Sequence, residues 1–382
     1  MLGRFFLPTR IHFGPGSRQE LAGLVGPGHK VLVVTDPGLV KIGLVDKITA
    51  LVTGAGGQAV VFSEVEANPR ASTVARALTA LQEEGADLVV GLGGGSPLDV
   101  AKTISFLATN EGPLEDYQWK GRPITTPPRP CVAIATTAGT GSEVTRTAVI
   151  VDRNTKQGIV SDALFPRLAI VDPELHLDLP PALTATTGMD ALTHAVEAFL
   201  GLRRNPFVEA WAVEAIKLIS RFLLRAFANG RDLEARQGMA LASTLAGAAM
   251  DQGGLGIVHA LAGPLSSHYD VPHGLANAAL LVEGLVFNEP AVRDRLAFLA
   301  AVLGVAPPGA NLRQGASAFI QWVRELTTDL GLTGVLTRYS IPMADLPRLG
   351  EEAAAMGLAR NNPRQVTAQD CTAIYNRVLA AQ

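Results

Sequence analysis

The sequence predicts an α/β domain followed by an all-helical one, on three observations. Short β-branched apolar runs alternate with helically spaced segments through the first half. That strand pattern stops near residue 178, and from there apolar residues recur at helical spacing between clear helix starts and stops. A chain of 382 residues also exceeds one ordinary core, so two domains are expected, 1–178 and 179–382.

The elements follow in order. The apolar opening FFLPTRIHF (5–13) reads as an edge strand able to pair with a second copy of the chain, giving a homodimer. VLVV (31–34) is the first strand of a series, residues 40–53 have helical spacing, and 59–62 form the next strand. Residues 72–84 form a helix with Ser72 as its cap, and 86–91 a third strand. This βαβαβ rhythm implies a parallel sheet with helices on both faces. A helix over 96–108 follows, then CVAIAT (131–136) and strands at 147–151 and 168–171, with DRNTKQG (152–158) as a hairpin turn between the last two. Beyond LPPALTATTG (179–188), Asn205-Pro206 starts a helix that Gly230 stops. Gly304 closes another, and Thr367 with Asp370 resembles a capping box for the last.

Composition narrows the function classes. A net charge of −3 without charge runs offers no basic field for nucleic acid. The longest weakly charged stretch, 239–268, is interrupted by Asp251, Gly253, Gly254 and His259, and reads as buried helices rather than a membrane span. The opening MLGRFFLPTR lacks an apolar signal core. The two cysteines, Cys131 and Cys371, lie far apart with no CxxC spacing, so a reducing cytoplasm is the expected compartment.

The third strand runs into GLGGGSPLDVAK (91–102), where Gly93, Gly94 and Gly95 remove every side chain before a helix that opens at Ser96-Pro97. Backbone without Cβ atoms can lie against a pyrophosphate, and a helix start favours negative charge; a tight strand-to-helix turn is the plainer alternative. The next strand ends in TTAGTGSEVT (136–145), whose hydroxyls and glycines suit the nicotinamide half of a dinucleotide. Two such loops at neighbouring strand ends are what a dinucleotide lying across them requires. Asp36 closes the first strand of the series, where a carboxylate can bind a ribose diol and repel a 2′-phosphate, favouring NAD over NADP, or simply serve the turn before Pro37-Gly38.

Asp190 and His194, four apart in GMDALTHAVE, share one helix face, and His259 and His273 come from two further elements separated by Gly263, Pro264 and Pro272. Three of the chain's seven histidines thus fall near one carboxylate. Ala191, Leu192, Ala195, Val196, Phe199 and Leu200 make the first helix apolar on most sides, which buries Asp190 and His194. A buried carboxylate needs a cation or donors. Imidazoles with one carboxylate and no thiolate suit Fe, Zn, Ni or Co rather than Ca or Mg.

Together GGGSPLDVAK, TTAGTGSEVT, GMDALTHAVEAF and VHALAGPL…VPHGLANAALL resemble the iron-containing alcohol dehydrogenase family, over nearly the whole chain from IHFGPGS to NPRQVT. The resemblance implies a dehydroquinate synthase-like fold, with NAD(P) and a divalent metal, Fe2+ first among the candidates, in the cleft between the domains. Asp190, His194, His259 and His273 would be the metal ligands. Gly94, Gly95 and Ser96 would touch the pyrophosphate, and Thr136, Thr137, Thr140 and Ser142 line the nicotinamide side. Asp36, Asn68, Val151 and Lys156 would lie near the cofactor, with Asp99 and Lys102 facing the cleft.

The implied activity is NAD-linked oxidation of a primary alcohol or diol, or reduction of the aldehyde, the metal polarising the substrate oxygen. A hydroxyacid–oxoacid transhydrogenase or a dehydroquinate synthase-like lyase remains as an alternative. One position departs from the pattern. Many members carry a histidine four residues after the first of the two later histidines, and this chain has Gly263. Glycine removes a proton-relay candidate and its volume, which predicts a roomier pocket. His268, in SSHYD, is a substitute relay candidate.

Overall fold

The computed structural model describes residues 5–153 and 155–380. The chain forms two compact units that divide between Leu179 and Pro180, with Phe5 belonging to the second, where its ring meets Phe207 and Trp211.

The first unit is built on a six-stranded sheet in the order β1-β8-β5-β4-β2-β3, every neighbouring pair parallel. Its strands are β1 (Arg10–Phe13), β2 (Lys30–Val34), β3 (Gln58–Phe62), β4 (Leu88–Gly93), β5 (Cys131–Ala135) and β8 (Leu168–Val171); β6 (Thr147–Asp152) and β7 (Thr155–Val160) form a separate antiparallel ribbon. The inner strands β4, β5 and β8 are buried along their whole length, so they read as continuous apolar runs without alternation. Helices α1 (Pro37–Lys41), α2 (Leu44–Gly54), α3 (Ala71–Glu84), α4 (Gly95–Leu107) and α5 (Leu114–Gln118) belong to this unit, and an apolar cluster packs each face of the sheet.

Three local expectations change. The helix expected over 40–53 is two, α1 and α2, broken at Gly43, whose φ of 73° suits glycine. Ser72 does not cap α3: the helix starts a residue earlier, and the Arg70 N–H before it is taken by the Glu66 carboxylate at 3.0 Å. DRNTKQG is not a turn between β6 and β8. Most of it belongs to β7, which pairs back onto β6; Asn154, within the same stretch, lies outside the described residues. Polar Thr155, Lys156 and Gln157 hide this strand, which is held by the buried Gln118 amide donating to the carbonyls of Ile150 and Gln157, one on each strand.

The second unit contains α6 (Pro181–Leu200), α7 (Pro206–Ala228), α8 (Leu233–Gly253), α9 (Ile257–Tyr269), α10 (His273–Leu303), α11 (Leu312–Asp329), α12 (Leu346–Ala355) and α13 (Ala368–Ala380). Their ends follow the sequence signals. The Asn205 side chain accepts from the N–H groups of Phe207 and Val208, and Thr367 and Asp370 exchange backbone-to-side-chain bonds ahead of α13. Helix α10 is long and apolar enough to cross a membrane by composition, yet more than half of its apolar window is buried inside the unit, as in a core helix. The start of α9 is clamped from afar. Asn362 Oδ1 accepts from the Ile257 N–H at 3.2 Å, Asn361 donates to the carbonyls of Gly253 and Leu255, and Asn288 and Asn362 exchange a reciprocal pair of bonds.

Candidate metal centre and dinucleotide loops

Asp190, His194, His259 and His273 converge in the helical unit: one ligand atom from each lies within 4.8 Å of every other. Helix α6 supplies the first pair from one face, α9 supplies His259 two residues after its clamped start, and α10 supplies His273 as its first residue. The Nε2 atoms of His194, His259 and His273 stand 3.8, 3.8 and 3.7 Å from Asp190 Oδ1. A tetrahedral ion with bonds of about 2.1 Å holds its donors ~3.4 Å apart, so the cage is close to ligation size.

The donor chemistry fits a cation. Asn277, one turn along α10 from His273, points its amide nitrogen at Asp190 Oδ1 (2.6 Å), His259 Nε2 (3.0 Å) and His273 Nε2 (3.2 Å). An NH2 group has two hydrogens and faces three acceptors, so more lone pairs converge here than this donor can satisfy. Burial alone pushes the Asp190 carboxyl up, but the three imidazoles and the Asn277 amide outweigh it and hold the group down at about 2. The side chains of Asp190, His194 and His259 are at most 4% exposed whereas His273 is 31% exposed, so the cage opens at His273.

Glu197, which sequence reasoning missed, orients one candidate ligand, His259. Buried on α6, it accepts from His259 Nδ1 at 2.6 Å and from the Val258 N–H at 2.7 Å. A carboxylate only accepts here, so the proton sits on Nδ1 and the Nε2 lone pair faces the cage, the tautomer that the Asn277 donor also requires. A signal existed: Glu197 lies seven residues after Asp190 and three after His194, on the face that carries the ligands. Asn277, four after His273, was legible by the same rule.

His268 is not brought to the cage. It lies nine residues beyond His259 on α9, ~13 Å along the axis, and its Nε2 bonds the carboxylate of Glu352 on α12 at 2.7 Å. Gly263 does not leave open space either: a Cβ there would sit 2.9 Å from Met356 Sδ and 3.0 Å from its Cε.

In the α/β unit, Gly93 and Ala135 are register partners on β4 and β5, so the two loops leave neighbouring strand ends side by side. A Cβ on Gly94 would come within 3.2 Å of Thr137 Oγ1, and one on Gly95 within 3.0 Å of Thr140 Cγ2. Gly94 is the N-cap of α4 and lends no side-chain cap, which leaves first-turn N–H groups at Gly95 and Ser96 for an anion. Thr136 is buried beside them, its N–H bonded to the Gly93 carbonyl. Asp99 and Ser142 hold the loops together: Ser142 Oγ donates to Asp99 Oδ1 at 2.6 Å, the Val149 N–H donates to Oδ2 at 2.9 Å, and Lys102 Nζ lies 3.2 Å from Oδ1. Lys102 is buried and also donates to the carbonyls of Ser142 and Thr147. Lys156 Nζ bonds Asn68 Oδ1 at 3.2 Å and pairs in register with Val151, so these three positions meet. Asp36 caps α1 through the Leu39 N–H at the end of β2.

Fold and donor set together fit a metal-dependent enzyme with a dinucleotide cofactor, and comparison with known proteins places it among oxidoreductases. Residues 8–173 match the iron-containing alcohol dehydrogenase family model and 184–379 its C-terminal counterpart. The 1,3-propanediol dehydrogenase of Klebsiella pneumoniae is 41% identical, the match covering 98% of each chain. A crystal structure of a 1,3-propanediol oxidoreductase superposes with a TM-score of 0.94 at 40% identity, over 99% of this chain and all of that one. The sulfoacetaldehyde reductase of Bifidobacterium kashiwanohense, solved with NAD+, gives a TM-score of 0.90 at 29% identity over the whole of both chains. The chain belongs to the iron-containing alcohol dehydrogenase family.

Proposed function

We propose that this enzyme oxidises a primary alcohol or diol to the aldehyde, and runs the reverse reduction, with NAD as the hydride carrier and Fe2+ in the cage, which Zn2+, Ni2+ or Co2+ can also occupy. The observation that carries the reading is the cage of three imidazoles and one carboxylate, with converging lone pairs and one side open at His273. When bound, the metal supplies Lewis acidity that lowers the pKa of an alcohol hydroxyl. The residues do the rest. Asp190 and the three histidines would hold the ion, and Glu197 keeps His259 in the ligating tautomer.

In the α/β unit, Gly94, Gly95 and Ser96 would seat the pyrophosphate at the start of α4, with Thr136, Thr137 and Thr140 beside the nicotinamide. Ser142 Oγ donates to one oxygen of Asp99 and the Val149 N–H to the other, so this pair positions the loops. Asn68, Val151 and Lys156 form a further edge for the cofactor. One oxygen of Asp36 caps α1 and the other serves a ribose diol, which favours NAD over NADP. Gly263 carries no titrating group and His268 is bonded to Glu352, so the released proton leaves through water, the cofactor's ribose hydroxyls or another nearby side chain. Exposed Ile11 and Phe13 on the sheet-edge strand β1 support a homodimer, and the free buried cysteines accord with the cytoplasm.

The test is a panel of primary alcohols, diols and hydroxyacids with NAD or NADP, after loading Fe, Zn, Ni or Co in turn. Steady NADH production from simple alcohols, dependent on the metal, is expected. Turnover confined to a hydroxyacid and oxoacid pair without added NAD would favour the transhydrogenase instead.

A further inference from the structure

We propose that Met356 is a specificity-determining residue, its thioether resting on Gly263 and setting the length of alcohol the enzyme accepts. The inference rests on the alcohol dehydrogenase reading and adds the residue that bounds its pocket.

Gly263 is four residues after His259 on α9, so it lies one turn farther along the helix face that turns His259 into the cage. Side-chain bonds on a helix lean toward its N-terminus, and the Cβ direction at Gly263 therefore tilts back toward His259. That direction ends on Met356: Sδ lies 2.9 Å and Cε 3.0 Å from where the Cβ would be. Met356 is the residue on which α12 ends, in extended conformation, and it is only partly buried. Methionine has three rotatable bonds and a polarizable sulfur, so it yields to an alkyl chain more readily than a branched residue would. A glycine on the ligand-bearing face, covered by one adaptable side chain from a neighbouring helix, makes a boundary that a single substitution can move.

The experiment has two readouts. On the metal-loaded enzyme, kcat/KM for 1-pentanol is divided by that for 1-propanol. Met356→Ala should raise this ratio ~15-fold, about fourfold for each additional buried methylene. Met356→Leu, which conserves volume, should leave it within about twofold, and Gly263→His should lower it. The second readout needs no turnover. Replacing a helical glycine by alanine ordinarily raises Tm. With Met356 in place the added methyl must push the end of that flexible side chain aside, so Gly263→Ala should raise Tm by less than it does in the Met356→Ala background. The difference between the two backgrounds shows the contact independently of activity.

If that difference appears but Met356→Ala leaves the alcohol ratio unmoved, the specificity proposal is overturned and the dehydrogenase reading stands. If Gly263→Ala raises Tm equally in both backgrounds, the contact itself is refuted. If the unaltered enzyme oxidises no alcohol with any metal, the functional reading fails and the proposal with it.

Discussion

Replacing Glu197 by glutamine tests the cage at its least obvious member. In the native protein two carboxylate oxygens meet two donors, His259 Nδ1–H at 2.6 Å and the Val258 N–H at 2.7 Å. Glutamine has nearly the same shape but one acceptor. If its oxygen stays with Val258, its NH2 faces Nδ1–H, and the conflict is relieved by moving the imidazole proton to Nε2. That nitrogen then carries hydrogen where it should offer a lone pair to the metal. If the oxygen turns to His259 instead, a buried backbone N–H loses its partner at a cost of about 1–3 kcal/mol. Either route weakens the site, by about 10–100-fold in metal affinity, or ~1.4–2.8 kcal/mol. The assay is competition for the metal against a chromogenic chelator at fixed pH, with NADH fluorescence as a control on the glycine loops of the other unit. Weaker metal binding with unchanged NADH binding is expected. Unaltered metal affinity in both Glu197→Gln and Glu197→Ala would refute the claim that this carboxylate orients His259.

Three further outcomes follow from the same geometry. His273→Ala removes the exposed ligand, so metal occupancy measured by atomic emission should fall and turnover vanish while NADH still binds; full activity in metal-free protein would contradict the cage. Asp36→Gly should narrow the preference for NAD over NADP by about tenfold, the repulsion of a phosphate ~4 Å from a carboxylate being ~1–2 kcal/mol, with only a few tenths of a kcal/mol lost from the cap; competing-cofactor kinetics check this. Asp190 is held down at about 2 in the folded protein against an ordinary 3.8, so it contributes stability that is present above 3.8 and lost as pH falls toward 2. Urea unfolding of metal-free protein should show that loss between pH 4 and 2, and Asp190→Asn should flatten the slope.

The candidate metal ligands were legible because helical spacing is a geometric rule: Asp190 and His194 had to share a face, and apolar neighbours had to bury them. Glu197 and Asn277 obey the same rule but are ordinary residue types without metal-ligand spacing, and only their distances to His259 reveal them. The parallel strands were legible from β-branched runs buried on both faces. Strand β7 was not, because a two-stranded ribbon has little apolar surface to advertise and is held by the side-chain amide of Gln118, remote in sequence. At Gly263 the sequence shows that a side chain is missing there. It does not show that Met356, ninety-three residues later, covers the space, since no local pattern records which distant loop rests on a helix.

The clamp on the start of α9 has a consequence for synthesis. All four candidate ligands have been translated once residue 273 is added, but Asn361 and Asn362, which fix the helix that carries His259, come later. At ~5–20 residues per second this leaves an interval of roughly 5–20 s in which a ribosome-bound chain owns every donor without the hold that aligns one of them. A metal ion captured in that interval meets a looser set, free to exchange; once the asparagines dock, the junction of α8 and α9 is closed from the far end of the chain. Secure capture of a metal at these four residues would then be a late event, reserved for polypeptides translated past Asn362.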